Sequence, residues 1–564
     1  MSEFILALAA VFISAGALLI VANQLGLPPV PFYILAGIIA GAFIDQPALI
    51  ELSLWGVAFL VFVFGTQVDL ADIQSVLRDG EIAAVTQLIV VAPIAFGVGY
   101  VLGITVGFED PIRNALYFAA AATLSSTLVG AKILQEEIRN NLVHGRLASS
   151  IHFFDDIVAI GALLVLSAEI LTDDVLITSK IGYGVLFLLA GLLIYRHGYP
   201  LLVRVAGGVD ELVLMGSISL LIVFLAAAEY VGISIVVGAF AAGLSVRTDD
   251  VASIGVKNGI ESIKDFFAAI FFVTVGALVT FPTFEVLGFA GILIILVVVV
   301  NPIIHTTAFI FEGYDGRTGF LAGSSLNQIS ELAIVIAIQA WLLETIAPTL
   351  FEAIILAAAV TMIFSALAGR YEQRVYDVAL HPILGRRRGY LDERSHVEEG
   401  ISDHVVIIGY GRQGHRLVRT LEDNEIPYVV IENDPAIRDD LEAECANYVF
   451  GDAMARYPLE LTGIERARLV VSTVDHLPVS RSLLEFGLST DIILRADSSP
   501  AAQELFDEGA TFVVVPNILA IEQLLQQLER VLGDESEIEQ IEAEHRKYLK
   551  LIEFAGLERR LERI

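Results

Sequence analysis

His152-Phe153-Phe154-Asp155-Asp156-Ile157-Val158-Ala159-Ile160 places two adjacent carboxylates inside an apolar run from about Leu147 to Leu171. A run of that length crosses a bilayer as a helix. An acidic side chain at bilayer depth is costly, so it is expected to face a wet cavity or a partner and to mark an ion path. Neighbours on a helix point about 100° apart. One carboxylate can therefore line a cavity while the other turns to an adjacent helix. The bland reading, a pair at the end of a soluble core helix, conflicts with the apolar sequence on both sides.

Composition extends that reading to the whole chain. Of 564 residues, 56% are hydrophobic, and the mean hydropathy is +0.73. Such a chain is a polytopic membrane protein. The single cysteine, Cys445, excludes an internal disulfide framework and any cysteine-cluster metal site. Met1-Ser2-Glu3-Phe4 lacks a basic leader, and the apolar run continues to about Ala22, so a first transmembrane helix is expected instead of a cleaved signal. The net charge of −32 is spread over both halves. It fits an acid-rich surface in a high-salt source, or simply an acidic cytosolic domain. No nucleic-acid partner is expected of so acidic a chain.

About thirteen apolar segments follow one another: 3–23, 29–46, 51–68, 82–106, 113–135, 146–171, 177–195, 211–230, 232–247, 260–282, 284–311, 317–341 and 345–369. With the chain after Tyr371 in the cytoplasm, thirteen crossings put Arg78, Lys132, Arg139, Arg196, Arg204, Arg247, Lys257 and Arg317 inside. The outside loops then carry little beyond Arg113 and Lys180, which is the positive-inside pattern.

Two segments carry polar clusters at mid-length, Thr123-Leu124-Ser125-Ser126-Thr127 and Gly323-Ser324-Ser325-Leu326-Asn327-Gln328-Ile329-Ser330-Glu331. Hydroxyls and amides there can satisfy backbone groups freed where a helix unwinds. Paired interrupted helices in two halves point to an inverted-repeat transporter site. The alternative is that serine and threonine merely bond the preceding turn of unbroken helices.

Four motifs, Leu124-Ser125-Ser126-Thr127, Phe154-Asp155-Asp156-Ile157, Phe271-Phe272-Val273-Thr274-Val275-Gly276 and Gln328-Ile329-Ser330-Glu331-Leu332-Ala333, resemble in order and spacing the monovalent cation:proton antiporter-2 superfamily, in its Kef-type and sodium/proton branch. The resemblance implies thirteen helices, a dimerisation panel, and a six-helix core in which two broken helices cross beside the ion-binding aspartate. Asp156 matches the family's essential aspartate, and Asp155 a position that is Asp, Asn or Gln. The cation and proton site implied comprises Asp155, Asp156, Ser126, Thr127, Asn301, Ser330 and Glu331. Where members often carry a lysine on the eleventh helix, this chain has Asn301, with His305 one turn on as the nearest titratable group. Without a fixed counter-charge, one-for-one electroneutral exchange is expected. Two protons per cation stays open, because both aspartates can titrate. Like charges so close disfavour double ionisation, and such a pair titrates as a unit. Competition of a proton and a hard cation, Na+ or K+, for Asp156 suffices for antiport.

After Tyr371 the character changes. Residues 1–380 read as the membrane domain and 381–402 as a cytosolic linker holding Arg386-Arg387-Arg388. Residues 403–533 read as a nucleotide-binding domain and 534–564 as a charged helical tail. A strand, Asp403–Ile408, runs into Gly409-Tyr410-Gly411-Arg412-Gln413-Gly414 and a helix, and a second strand ends at Glu432-Asn433-Asp434. Glycines so spaced permit a tight turn and close approach of a pyrophosphate, and an acid at Glu432 can hold ribose hydroxyls. Further strands at 448–450, 469–471, 492–494 and 512–515 predict a doubly wound, Rossmann-like parallel sheet. With Gly451-Asp452-Ala453 and Ser472-Thr473 the region resembles the RCK, KTN or TrkA-N domain. That resemblance implies regulatory NAD(H) or an adenine nucleotide at Gly409, Gly411, Arg412, Gln413, Gly414, Glu432, Asn433, Asp452, Ala453 and Thr473.

A regulated antiporter in the cell membrane, homodimeric and not an enzyme, is the expected function. A nucleotide-gated channel would want a Thr-Val-Gly-Tyr-Gly filter, which is absent. A membrane oxidoreductase would want a redox-partner site, and no cysteine cluster or paired-histidine haem pattern is present.

Overall fold

The computed structural model describes residues 2–41, 46–66, 81–139, 142–167, 174–207, 209–247, 254–280, 282–384, 395–398, 400–434, 437–454 and 456–533. Arg78, the linker arginines Arg386-Arg387-Arg388 and the charged tail lie outside them. The chain divides into two compact units, the first made of Met1–Ile138, His144–Glu312 and Gly316–Leu380, the second centred on His381–Ile564.

The first unit is helical, and each expected apolar segment falls on a helix or on a pair of helices. Among the described residues, six helices are long and apolar enough to cross a membrane. Shorter apolar helices accompany them, including Pro29–Ala40, Ile235–Leu244 and Glu331–Leu342. One group packs Pro29–Ala40 and Gln46–Thr66 against Ile254–Ala277, and Gln46–Thr66 against Ile235–Leu244. Small residues let these backbones touch. A methyl at Gly37 would lie 2.1 Å from the Val273 carbonyl oxygen, one at Gly276 2.2 Å from that of Ile34, and one at Gly243 2.0 Å from that of Phe62.

The second group repeats one plan twice: a long helix with a π turn, a broken helix, and a continuous helix. Residues 81–106, 111–133 and 143–167 form the first set, and 284–312, 316–342 and 348–368 the second. The π turns have a local cause. Gln87–Val91 precedes Ala92-Pro93, and Leu296–Val300 precedes Asn301-Pro302. Proline lacks an N–H and its ring crowds the carbonyl four residues back. A wider turn just before it relieves both. Gln87 and Asn301, at the edges of these turns, are both buried.

The second unit carries six parallel strands: β1 Val405–Ile408, β2 Tyr428–Glu432, β3 Tyr448–Phe450, β4 Leu469–Ser472, β5 Asp491–Arg495 and β6 Phe512–Val514. Their order is β3-β2-β1-β4-β5-β6, with Val405 paired to both Tyr428 and Leu469. β1 is buried on both faces, as its unbroken Val-Val-Ile-Ile run demands. The strand order reverses between β1 and β4, so a crevice opens at their carboxyl ends.

Candidate ion-binding and nucleotide-binding sites

The first broken helix runs Pro111–Thr123, is extended at Leu124 and Ser126, and resumes at Thr127. The second runs Gly316–Ser324, is extended at Ser330, and resumes at Glu331. They cross as a short antiparallel bridge, Ser125 opposite Ile329, with the Ser330 N–H donating to the Leu124 carbonyl at 3.0 Å. Polar side chains satisfy groups the breaks set free. The Ala122 carbonyl accepts from Asn301 Nδ2 at 2.7 Å, and that of Thr123 from Gln87 Nε2 at 2.6 Å. Gln328 Nε2 donates to the Ser126 and Ser325 carbonyls, and its Oε1 accepts from Ser365 Oγ at 2.7 Å. Each new half-helix starts on a serine cap: Ser126 Oγ accepts from the Val129 N–H, and Ser330 Oγ from the Leu332 N–H. Neither break leaves its cost to lipid.

Asp155 and Asp156 come from the helix Val143–Ser167 and turn to different surroundings. Asp155 is 1% exposed. Its Oδ1 accepts from Gln87 Nε2 at 2.6 Å, and its Oδ2 from the Ser125 N–H at 2.7 Å and Ser125 Oγ at 2.5 Å. Asp156 is half-buried, and Thr127 Oγ1 lies 3.0 Å from each of its oxygens. Glu331 is buried, with Ser126 Oγ donating to its Oε1. The N-terminal ends of both resumed half-helices, at Thr127 and Glu331, meet here.

Of the residues expected at the ion site, Ser126, Thr127, Ser330, Glu331, Asp155 and Asp156 come together. Asn301 holds the Ala122 carbonyl through Nδ2, while its buried Oδ1 has no hydrogen-bond partner. Three residues were not anticipated as site members. Gln87 joins Asp155 to the first break, Ser125 bonds Asp155 twice, and His152 Nδ1 lies 3.0 Å from Ser125 Oγ. The signal for Gln87 was available: it is the one amide in the apolar segment 82–106.

In the second unit, Gly409 follows β1 at φ +89, a conformation favouring glycine. A methyl on Gly414 would lie 2.1 Å from the Gly409 carbonyl oxygen. A methyl on Gly411 meets nothing within 4 Å, so open space stands where a phosphate would approach the helix Arg412–Asp423. Arg412 and Gln413 are exposed at that helix's first turn. Glu432 ends β2 with its carboxylate on backbone N–H groups: Tyr410 at 2.7 Å, Asn433 at 2.7 Å and Asp434 at 2.9 Å. Burial, and then the Asp434 charge, raise its pKa above the ordinary carboxylate value, against those N–H bonds. Thr473 Oγ1 donates to the Ile408 and Gly409 carbonyls and so holds the glycine turn. Asp452 Oδ1 accepts from the Met454 N–H, beside buried Ala453. The glycine cradle fits a dinucleotide or an adenine nucleotide.

Residues 405–516 match the TrkA-N domain. The putative cation/proton antiporter YbaL of Escherichia coli is 25% identical over 90% of this chain and 94% of its own length. The putative K(+) efflux antiporter KefB of Alkalimonas amylolytica is 25% identical over 86% of this chain and 75% of its own. The solved sodium proton antiporter MjNhaP1 of Methanocaldococcus jannaschii aligns over 67% of this chain and 99% of its own, at 14% identity and a TM-score of 0.49. Residues 8–369 match the family described as sodium/hydrogen exchanger, transmembrane, and the chain is a multi-pass membrane protein belonging to that family.

Proposed function

We propose that the chain is a secondary active antiporter that exchanges a monovalent cation for protons across the cell membrane, with Asp156 as the carrying group. The observation that carries this reading is the contrast between the two aspartates. Asp155 is sealed under three donors, whereas Asp156 is only partly buried, beside one hydroxyl. A hard cation takes oxygen ligands, and Asp156 with Thr127 offers them. Sharing Asp156 between a proton and a cation couples the two fluxes, provided the loaded site alone crosses. The relatives named above as cation/proton or K(+) efflux antiporters match over most of their lengths, which favours K+ as the cation. Na+ is the second reading, favoured by the adjacent carboxylates Asp155 and Asp156.

In this reading the chain makes thirteen crossings with its C-terminus cytoplasmic, and a nucleotide in the TrkA-N crevice regulates exchange. A homodimer is part of the proposal. It is supported by an apolar cavity of about 510 Å³ over Leu469, Val471, Ile493, Phe512 and Val514. The helix Pro516–Gly533 also exposes Ile518, Ile521, Leu524, Leu525 and Leu528.

The test is dequenching of a pH dye in proteoliposomes under an imposed proton gradient, adding K+ and Na+ separately. One or both cations should collapse the gradient. No response to either would remove the reading.

A further inference from the structure

The hydrogen bonds around Gln87 bear on the charge of a buried histidine. Gln87 Nε2 lies 2.6 Å from the Thr123 carbonyl oxygen and 2.6 Å from Asp155 Oδ1. The carbonyl can only accept, so the amide must present its NH2 there and its orientation is set. Gln87 Oε1 then faces His305 Nε2 at 3.1 Å and needs a ring N–H. The other ring nitrogen, Nδ1, lies 2.8 Å from the Asn301 carbonyl oxygen, again an acceptor only. A neutral imidazole has one N–H, and this ring faces two acceptors. His305 is 1% exposed, so a neutral ring would seal one lone pair against another, away from water.

We propose that His305 is an imidazolium and serves, through the Gln87 amide, as the fixed positive partner of Asp155. Among the described side chains, the titratable groups on neighbouring elements are Asp155, Asp156 and His152 on Val143–Ser167, Glu331 on its half-helix, and Arg317 on Gly316–Ser324. Arg317 is engaged by Gln373 and Glu331 by Ser126. Among the described carboxylates, Asp155 is joined to His305 through a single intervening side chain, the Gln87 amide.

His152 supplies the internal contrast. Ser125 Oγ gives its proton to Asp155 Oδ2, so it accepts from His152 Nδ1–H. His152 Nε2 has no hydrogen-bond partner and packs against Gly130. His152 is thus the neutral Nδ1–H tautomer, and Asp155 sits between a neutral and a charged ring.

The consequence, which rests on the antiport reading, is a division of labour. His305 and Asp155 cancel and stay ionised through the cycle. Asp156 alone exchanges its proton, which makes the exchange one-for-one.

The protonation state can be measured apart from transport. The full-length protein, labelled with 15N-histidine and reconstituted in lipid, is observed by solid-state NMR near neutral pH. A through-space contact to 13C-labelled glutamine assigns the His305 ring in the unmodified protein, and loss of that signal in H305Q confirms the assignment where the variant folds. Two protonated-type ring nitrogens at His305, beside one protonated and one lone-pair nitrogen at His152, are expected. A lone-pair nitrogen at His305 overturns the proposal. In proteoliposomes, exchange should fall about tenfold or more in H305Q and less in H305K, which restores a charge. Wild-type exchange in H305Q would also overturn it. An imidazolium in a protein that exchanges no cation would keep the charge assignment and remove the antiport reading.

Discussion

The Ser330 N–H donates to the Leu124 carbonyl at 3.0 Å, tying the two interrupted helices backbone to backbone where they cross. Ser330 also caps its half-helix through Oγ. Two substitutions separate the two roles. Ser330→Ala removes the cap and should cost about 1 kcal/mol. Ser330→Pro removes the crossing bond as well. Its fixed φ suits the observed −68, and the preceding Ile329 lies in an extended bridge, which proline allows. The extra loss is then the stranded Leu124 carbonyl, about 1–3 kcal/mol more. Thermal melts in detergent should rank wild type, Ser330→Ala and Ser330→Pro in descending order. Equal melts for the two variants would mean that the crossing bond contributes nothing.

The two breaks were legible in the sequence because each is local, a cluster of hydroxyls and amides inside an apolar run, whereas their crossing came from the family resemblance. The six strands and their parallel sheet were legible because short Val- and Ile-rich runs alternate with helices, while the strand order came from the structure. The identity of the helper side chains was not. Gln87 meets Asp155 across 68 residues and His305 across 218, and nothing in either stretch names the other. Asn301 was read for what it replaced, and its Nδ2 bond to the Ala122 carbonyl freed by the break was not anticipated. That partner depends on the relative placement of two helices, which no local pattern encodes.

Cys445 gives a built-in probe of the nucleotide site. It is the only cysteine in the chain and is buried. Burial pushes its thiol up to about 11, with the Glu422 and Glu444 charges adding to the shift and a Tyr410 hydrogen bond opposing it. At neutral pH little thiolate forms, so maleimide labelling should await opening of the second unit. A nucleotide that binds the folded form should slow labelling, about a hundredfold at 100 times its Kd. Gly411→Asp sets an anion where the pyrophosphate approaches. The open space and φ of −68 leave the fold unstrained. Labelling of this variant should match apo wild type and ignore added NAD+ or ATP. Protection of Gly411→Asp by nucleotide would move the binding site elsewhere.

The helix crossing of Pro29–Ala40 with Ile254–Ala277 should be intolerant of bulk. Gly276→Val forces a side chain toward the Ile34 carbonyl, where even a methyl would lie 2.2 Å away. Overpacking of this kind costs about 1–3 kcal/mol. Gly288→Val is the control, because a methyl there meets nothing within 4 Å. A lowered melting temperature for Gly276→Val alone is expected. Equal melts would show that the two backbones can part freely.

The two aspartates should fail in opposite ways. Asp155 receives three donors, one on Oδ1 and two on Oδ2. An asparagine there has one accepting oxygen and sets its own NH2 against either Gln87 or Ser125. A buried donor then loses its partner, at about 1–3 kcal/mol. Asp155→Asn should therefore melt early and transport poorly because the crossing is loosened. Asp156 faces the Thr127 hydroxyl, which can donate or accept, so Asp156→Asn keeps its contact and loses only the charge that switches. That variant should melt within about 0.5 kcal/mol of wild type and exchange no cation at any pH. Both variants are read by thermal melting and by exchange in proteoliposomes, each with K+ and Na+. A stable Asp155→Asn without exchange, beside an Asp156→Asn that still exchanges, would reverse the roles and make Asp155 the carrier.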